Sequence, residues 1–517
     1  MKLFFVSILF TSIISLQESF GQVGIIDSTF GVNGSTTSFP WAWHIAVQTD
    51  DNILIAFIRS ANGINENNFG LCRFKSTGKV DSAFGINGRA TGAGNDPDAD
   101  KGCDGMALQA DGKIIVSNSG LYYDSFIISR YNSNGFIDQS FGINGFSKTT
   151  WGNFIRFPTI EIQTDGKIIA GGEGHIVGSG STTDFILIRY NTDGSLDNSF
   201  GNAGKVKTHF SRPRSILVDL AIQQDGKIVA VGHTSDTTSG IYGYAIARYN
   251  SNGSLDNSFG VGGKMEAFPG LNPLYGSFSS VIILPDDKIL VSGEYWSGGT
   301  DGYALIMKLK TNGTVASSFG SNGIILEDFD LINPSGNNYY DILVQPDNKI
   351  VGVGFLHYNT NDEYDFAMAR YNSNGTIDST FALNGQFVDS LNGLYPTAVA
   401  IQSTGKIVTA NGWVFRFLND TFLGILDFEE ANNSLLVYPN PIQSHATLHY
   451  SLNQEEKISI ELYDIQGELV QLFITNETRA TGKHEEILKL NELLPAGNYI
   501  ISIGNGKNSQ GVKVVKE

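Results

Sequence analysis

The sequence predicts an all-β chain, a seven-bladed β-propeller followed by a small immunoglobulin-like β-sandwich. Three observations predict it. A motif of the form Phe-Gly-x-x-Gly, or a close variant, recurs seven times at intervals of 54, 57, 59, 59, 60 and 62 residues. Each unit reads as short β-rich runs joined by Asp-Gly or Asn-Gly turns, whose residues tolerate the positive φ that tight hairpins need. Beyond residue 434 the repeat gives way to a second series of short alternating strands.

The repeat has three landmarks. Phe-Gly begins at Phe30, Phe84, Phe141, Phe200, Phe259 and Phe319, with Phe381-Ala382 as the seventh copy. Gln-x-Asp-Gly-Lys-Ile stands at Gln109–Ile114, Gln163–Ile168 and Gln223–Ile228, with weaker forms at Gln48–Ile53, Leu284–Ile289, Gln345–Ile350 and Gln402–Ile407. A basic residue closes each unit at Arg73, Arg130, Arg189, Arg248, Lys308, Arg370 and Arg416. In the fourth unit the pattern predicts strands over Ile216–Ile222, Lys227–Val231, Tyr244–Tyr249 and Lys264–Ala267. Middle strands such as Ile114-Ile-Val116 are continuously apolar, so both faces of each sheet must be covered. Four-stranded sheets stacked on their neighbours meet that demand.

The repeat begins out of phase. Asp27-Ser-Thr-Phe30-Gly-Val-Asn-Gly34 precedes the first complete unit, and the last unit fades after Val414–Leu418. The N-terminal piece therefore completes the last blade, which closes the ring and removes its open edges.

Composition excludes several classes. The 517 residues carry 34 Lys+Arg against 52 Asp+Glu, a net charge of −18, which argues against nucleic acid and anionic membranes. Two cysteines, Cys72 and Cys103, cannot build a disulfide scaffold or a four-Cys zinc site. Whether they pair is left open by the sequence.

Residues 1–21 have the features of a secretory signal peptide: Met1-Lys2, an apolar run from Leu3 to Leu16, and small residues before Gln22. The expected organisation is signal peptide 1–21, propeller 22–424, polar linker 425–434 and sandwich 435–517. No other run is apolar and long enough to span a bilayer, so the mature chain is expected to lack a transmembrane segment and to be a monomer.

Segments such as Leu220-Ala-Ile-Gln-Gln-Asp-Gly-Lys-Ile-Val-Ala-Val-Gly232 and Ala247-Arg-Tyr-Asn-Ser-Asn-Gly-Ser-Leu-Asp-Asn-Ser-Phe-Gly260 resemble the bacterial delta-60 repeat. The resemblance covers about residues 27–424 and implies a propeller and export, but no established activity. The C-terminal stretch is similar to the type A sorting domain of the type IX secretion system. The matching residues are Tyr438, Pro439, Asn440 and Pro441, then Leu462-Tyr463-Asp464 with Gly467, then Gly497 and Tyr499, and the Lys513/Lys516 tail. That resemblance implies the type IX machinery as a partner, passage through the periplasm, and release or attachment at the outer cell surface.

The sequence offers little linear evidence of catalysis, and no cofactor or metal site is expected. The repeated Arg and Phe read as structural: Arg130, Arg189, Arg248 and Arg370 pairing with turn acids or carbonyls, and Phe141, Phe200 and Phe259 filling blade interfaces. Asn191-Thr-Asp193-Gly-Ser-Leu-Asp197 is similar to a calcium loop, but other copies place Asn134, Asn252 and Asn374 at the same point, which suits a hairpin turn better. His484-Glu485-Glu486 lacks the second His of a zinc protease, since Leu488 stands in its place.

The Asp-Gly and Asn-Gly turns have nearly constant length, whereas the alternate connections vary and share the opposite face. Binding residues concentrate on loops set on a rigid scaffold. The expected ligand-binding residues on that rim are Tyr122, Tyr123, Trp151, Arg156, Arg212, Arg214, Tyr295, Trp296, Tyr339 and Tyr340, with Tyr358 beside them. The expectation is a binding or interaction module for glycan or protein. The alternative is a polysaccharide hydrolase or lyase, which needs carboxylates converging over the channel; Glu173, Glu294 and Asp362 are its scattered candidates.

Overall fold

A computed structural model describes residues 23–36, 42–57, 70–90, 103–119, 125–151, 154–175, 182–236, 240–266, 268, 271, 275–298, 302–329, 334–358, 363–419, 436–438, 442, 444–452, 454–464, 469–491, 494–495, 497–504 and 509–516. The expected signal peptide and linker lie outside the described residues, as do Tyr122, Tyr123, Asp362, Pro439, Asn440, Pro441 and Gly467.

The fourth repeat folds as its pattern requires. Arg214–Ile222, Ile228–Asp236, Ile241–Tyr249 and Lys264–Met265 form one antiparallel sheet in chain order. The Asp-Gly turn closes with Gln223 N donating to Lys227 O at 2.8 Å. Its fourth strand is shorter than expected, because Glu266 leaves the ladder and accepts from Ser211 N at 2.9 Å. Its second and third strands bury Val229, Val231, Ile246 and Ala247 completely.

Among the described residues the repeat region forms seven antiparallel sheets in chain order, five of four strands and the first and last of three. Their first strands are Ala42–Val47, Gly105–Leu108, Phe154–Ile162, Arg214–Ile222, Tyr275–Ile283, Pro334–Val344 and Ala398–Ile401. Each first strand contacts the first strands of the sheets before and after it, and Ala42–Val47 contacts Ala398–Ile401. The first strands therefore surround a common axis, and the ring is closed. The outer strand of the seventh sheet comes from the N-terminus: Ile26 bridges Phe417, Ser35 bridges Phe415, and Thr36 N donates to Val414 O at 3.0 Å.

One joint recurs between successive sheets. Arg130 Nε donates to Asp138 at 2.7 Å, its guanidinium lies 4.6 Å from the Phe141 ring centroid, and Nη1 donates to Thr192 O, 62 residues onward, at 2.6 Å. Arg189 repeats this with Asp197, Phe200 and Ser251 O, and Arg248 with Asp256, Phe259 and Thr311 O. Arg370 does so with Asp378, Phe381 and the side chain of Asn419. The turn after the next repeat's third strand caps the same ring: Gly194, at φ +88°, sits so close to Phe141 that a Cβ there would lie 2.9 Å from the ring. The repeated Arg and Phe are therefore structural, as their sevenfold recurrence implies.

Cys72 and Cys103 are buried free thiols. Burial pushes the Cys72 thiol up to about 12, which makes it a poor nucleophile.

The C-terminal unit pairs a three-stranded sheet, Leu436–Tyr438, His445–Leu452 and Gly482–Lys489, with a four-stranded one. The second sheet runs in the order Leu469–Arg479, Glu456–Asp464, Gly497–Gly504, Ser509–Lys516. Leu448, Tyr450 and Leu488 from one sheet pack with Ile460, Leu462, Ile501 and Val514 from the other. Tyr499 is buried in that core and donates to Pro495 O at 2.9 Å. Gly497 pairs with Lys516, and Lys513 with Ile500, on the last two strands. His484 lies on the strand and stacks on Tyr450, with centroids 5.1 Å apart.

Candidate ligand cavity at the head of the channel

The inner strands of five sheets share a register irregularity, between Ala42 and His44, Arg156 and Thr159, Leu217 and Asp219, Phe278 and Ser280, and Tyr339 and Asp341. A bulge re-aims the side chain beside it. Here it presents His44, Thr159, Asp219, Ser280 and Asp341 at equivalent points around the axis.

These residues knit the ring together. Thr159 Oγ1 donates to Asp219 Oδ1 at 3.1 Å, and Val281 N, two sheets from Thr159, donates to Asp219 Oδ2 at 2.9 Å. Ser280 Oγ donates to Asp341 Oδ1 at 2.9 Å, and Val399 N donates to Asp341 Oδ2 at 2.9 Å. His44 Nε2 donates to Asp104 O at 2.7 Å.

Above this collar lies a cavity of about 610 Å³. Its walls come from inner strands, with Trp43 and Tyr275 at their starts and Tyr340 at a bulge, and from the later halves of second strands, such as Glu173, Glu294 and Phe355. The Asp-Gly turns join the other ends of those same strands, so the cavity faces the variable connections.

Electrostatically the site is acidic. Burial lifts the Glu294 carboxyl to about 7, with a Tyr275 hydrogen bond opposing it. Burial raises Asp341 to about 7, against the hydrogen bond from Val399 N, and raises Asp219 to about 6. Glu161 goes to about 8, through burial first and repulsion from Asp219 second. Burial and the nearby Arg214 charge push His233 down to about 4.

The structure divides the residues expected on the rim. Tyr340 lines the cavity, its ring 5.8 Å from Tyr395 and 5.5 Å from Phe355. Tyr339 is a correction: it is wholly buried, packed edge-on to Phe329, with its hydroxyl 2.7 Å from that of Tyr371. Neighbouring strand residues face opposite sides, so the two tyrosines could not both serve the rim.

Trp151 packs against the core between the second and third sheets, with the Lys205 ammonium 5.6 Å from its ring. Arg212 donates to Thr234 Oγ1 at 2.8 Å, and Arg214 begins its inner strand. Tyr295 packs on the fifth-sheet core, and Trp296 ends that sheet's second strand opposite Tyr275. Arg156 lies in an inner strand, its side chain outside the described residues, as is that of Tyr358.

Glu173 and Glu294 do converge on one cavity. The sequence reading missed Trp43, His44, Asp219, Tyr275, Asp341 and Phe355. A signal existed for one of them: Asp219 interrupts an otherwise apolar run, Ile216-Leu-Val-Asp-Leu-Ala-Ile222.

Asp193, the calcium-loop candidate, accepts from Ser195 N and Oγ at 2.9 and 2.7 Å. Asn252 accepts the same two bonds from Ser254, at 3.0 and 2.8 Å. The carboxylate thus occupies an ordinary Asx turn.

A closed ring of seven sheets with a channel-head cavity, followed by a two-sheet C-terminal unit, defines a β-propeller repeat protein. A family model described as a domain of unknown function (DUF5122) beta-propeller matches residues 109–141, 163–200, 223–259, 284–319 and 345–381. A second, the secretion system C-terminal sorting domain, matches residues 436–517. The chain therefore carries DUF5122 beta-propeller repeats and ends in a type IX secretion sorting domain. That tail implies handling by the type IX machinery and export through the periplasm to the cell surface or the medium. Among the described residues no helix is long and apolar enough to cross a membrane.

No curated protein matches the sequence. A solved protein from Lactobacillus plantarum is similar at 14% identity, over 84% of this chain and 99% of its own, with a TM-score of 0.42. An α-L-arabinofuranosidase from Fusarium graminearum is similar at 9% identity, over 61% of this chain and 92% of its own, at 0.35. A polysaccharide lyase described as an ulvan lyase is similar at 11% identity, over 79% and 91%, at 0.33. At these scores the likenesses carry no argument about function.

Proposed function

We propose that the exported propeller is a monomeric binding module that takes a glycan or protein ligand at the channel head, on the face of variable connections. The observation that carries this reading is the cavity of about 610 Å³, where Trp43, Tyr275 and Tyr340 stand beside carboxylates and hydroxyls. Its volume falls in the range of sites that enclose small ligands, and aromatic faces beside polar groups suit sugar rings. A glycan-array screen of the mature protein, followed by an activity assay on every hit, tests it. Binding without turnover supports the module.

A second reading, a secreted polysaccharide hydrolase or lyase, is favoured by one observation. Glu173 and Glu294 share the cavity, and burial lifts Glu294 toward neutrality, the condition of a general acid. Product formation that Glu294→Gln abolishes would establish this reading against the first.

A further inference from the structure

We infer that the channel-head cavity takes an amino sugar, its ammonium group held among the cavity's carboxylates and its ring against the aromatic wall. This rests on the reading of the cavity as the ligand site and names the ligand's chemistry.

The first observation is a charge imbalance inside a built cavity. Asp104, Glu173, Asp219, Glu294 and Asp341 belong to its lining, and among the described residues that line it there is neither Lys nor Arg. Glu294 is hydrogen-bonded to Tyr275. Asp219 and Asp341 accept backbone N–H groups of later sheets, which fixes them in place whatever enters. Raised to about 6 and about 7, they carry partial negative charge near neutral pH and more above it. A cation entering from the open side relieves the repulsion that Asp341 feels from Asp219 and offsets the cost of burying Glu294.

The second observation is independent of charge. Trp43, Tyr275, Tyr340 and Phe355 contribute aromatic surface to the same lining. Tyr340 is braced by Tyr395 at an interplanar angle of 22°, so it is held as a platform. Aromatic faces attract cations and stack on sugar rings.

The third is the neutral polar complement. Ser277, Ser279, Asn338 and Thr397 line the cavity, supplying hydroxyl and amide groups for a polyhydroxylated ring. A protein partner covers about 800 Å² on each side and needs a broad face, whereas a partly open cavity of about 610 Å³ admits a small ligand.

The test is calorimetric titration of the full mature chain with a glucosamine tetramer, its fully N-acetylated counterpart, and a tetralysine peptide. The expected result is that the glucosamine tetramer binds at least tenfold more tightly than the acetylated one, and that Glu294→Gln weakens it at least tenfold. Glu173→Gln serves as the second variant, with circular dichroism confirming that each folds. Equal binding of both tetramers would overturn the ammonium assignment while leaving the cavity as a glycan site. Tetralysine binding in the cavity with no sugar binding would overturn the sugar assignment. If no probe binds while a glycan-array hit is lost in Tyr340→Ala, the inference fails and the binding module stands. If no array hit depends on Tyr340, both fail.

Discussion

Arg416 Nε donates to Asp27 Oδ2 at 2.9 Å across 389 residues of chain, and both side chains are buried. The Arg416 guanidinium also lies 4.6 Å from the Phe30 ring centroid and donates to Ser76 O at 2.8 Å. These are the contacts that Arg130, Arg189 and Arg248 make with an Asp only eight residues away. Ring closure therefore uses the ordinary joint between repeats, with the acid and the aromatic ring supplied from the other terminus. Burial pushes the Asp27 carboxyl up, yet the Thr29 hydrogen bonds and the Arg416 and Lys406 charges hold it below its ordinary value.

The glycines of the turns that follow the third strands are joint components. Gly194 at φ +88° would place a Cβ 2.9 Å from Phe141, while Gly240 at φ +68° has nothing within 4 Å. Gly240→Ala should cost about 1 kcal/mol, from backbone strain alone. Gly194→Ala should cost about 2–4 kcal/mol, because overpacking adds to that strain. Urea unfolding of the two variants measures the difference, and equal losses would remove the turn from the joint.

Stability should respond to pH in two windows of opposite sign. Asp138, Asp197 and Asp378 are held at about 2, although burial opposes it, by hydrogen bonds from Ser140, Ser199 and Thr380 and by neighbouring cations. Their contribution is present above the unfolded value of 3.8 and is lost as pH falls toward 2. Asp219, Asp341 and Glu294 are raised to about 6, 7 and 7, so the folded chain retains protons that the unfolded chain gives up. Their contribution is present below pH 4 and is lost as pH rises through 6 to 7. Thermal unfolding across pH 4–8 should show Tm falling with pH, and Glu294→Gln should flatten part of that fall. A slope unchanged in that variant would contradict the assignment.

Calcium should do nothing at the third-repeat turn that carries Asp193. Asp193 and Asn252 make the same hydrogen bonds to the residue two places on. Asp193→Asn should keep the Tm of the parent, and added calcium should shift neither protein. A shift confined to the parent would make that turn a cation site.

Adjacent tyrosines should separate binding from stability. Tyr340→Ala should weaken any glycan-array hit at least tenfold, since its ring lines the cavity. Tyr339→Phe should leave binding intact and cost about 1 kcal/mol, from loss of the hydroxyl bond to Tyr371. Titration and unfolding of the two variants distinguish the roles, and the reverse pattern would mislocate the site.

The ring was legible because one set of contacts is written six times, with Lys308 over Phe319 as the variant in the remaining repeat. Arg, Asp, Phe and the turn Gly recur at fixed spacing, and each spacing is a joint. Even the closure could be read, since Asp27 and Phe30 are joint residues lacking an Arg on their own side. The cavity was not legible in the same way. His44, Asp219 and Asp341 stand in different repeats, and only the ring brings them to one axis. What aims them there is a bulge, a backbone event with no fixed residue signature. Tyr339 was misplaced because loop length was read without strand alternation, which turns one of two neighbours inward.

A double-mutant cycle on Asp27→Asn and Arg416→Gln tests the closed ring most directly. Removing one partner of a buried pair costs about 3–5 kcal/mol, and partners in contact couple by about 0.5–3 kcal/mol. Urea unfolding should give a coupling near the upper end of that range, matching the cycle on Asp197 and Arg189 within one repeat. A coupling near zero for Asp27 and Arg416, with the internal pair still coupled, would mean that the two ends of the repeat array do not meet.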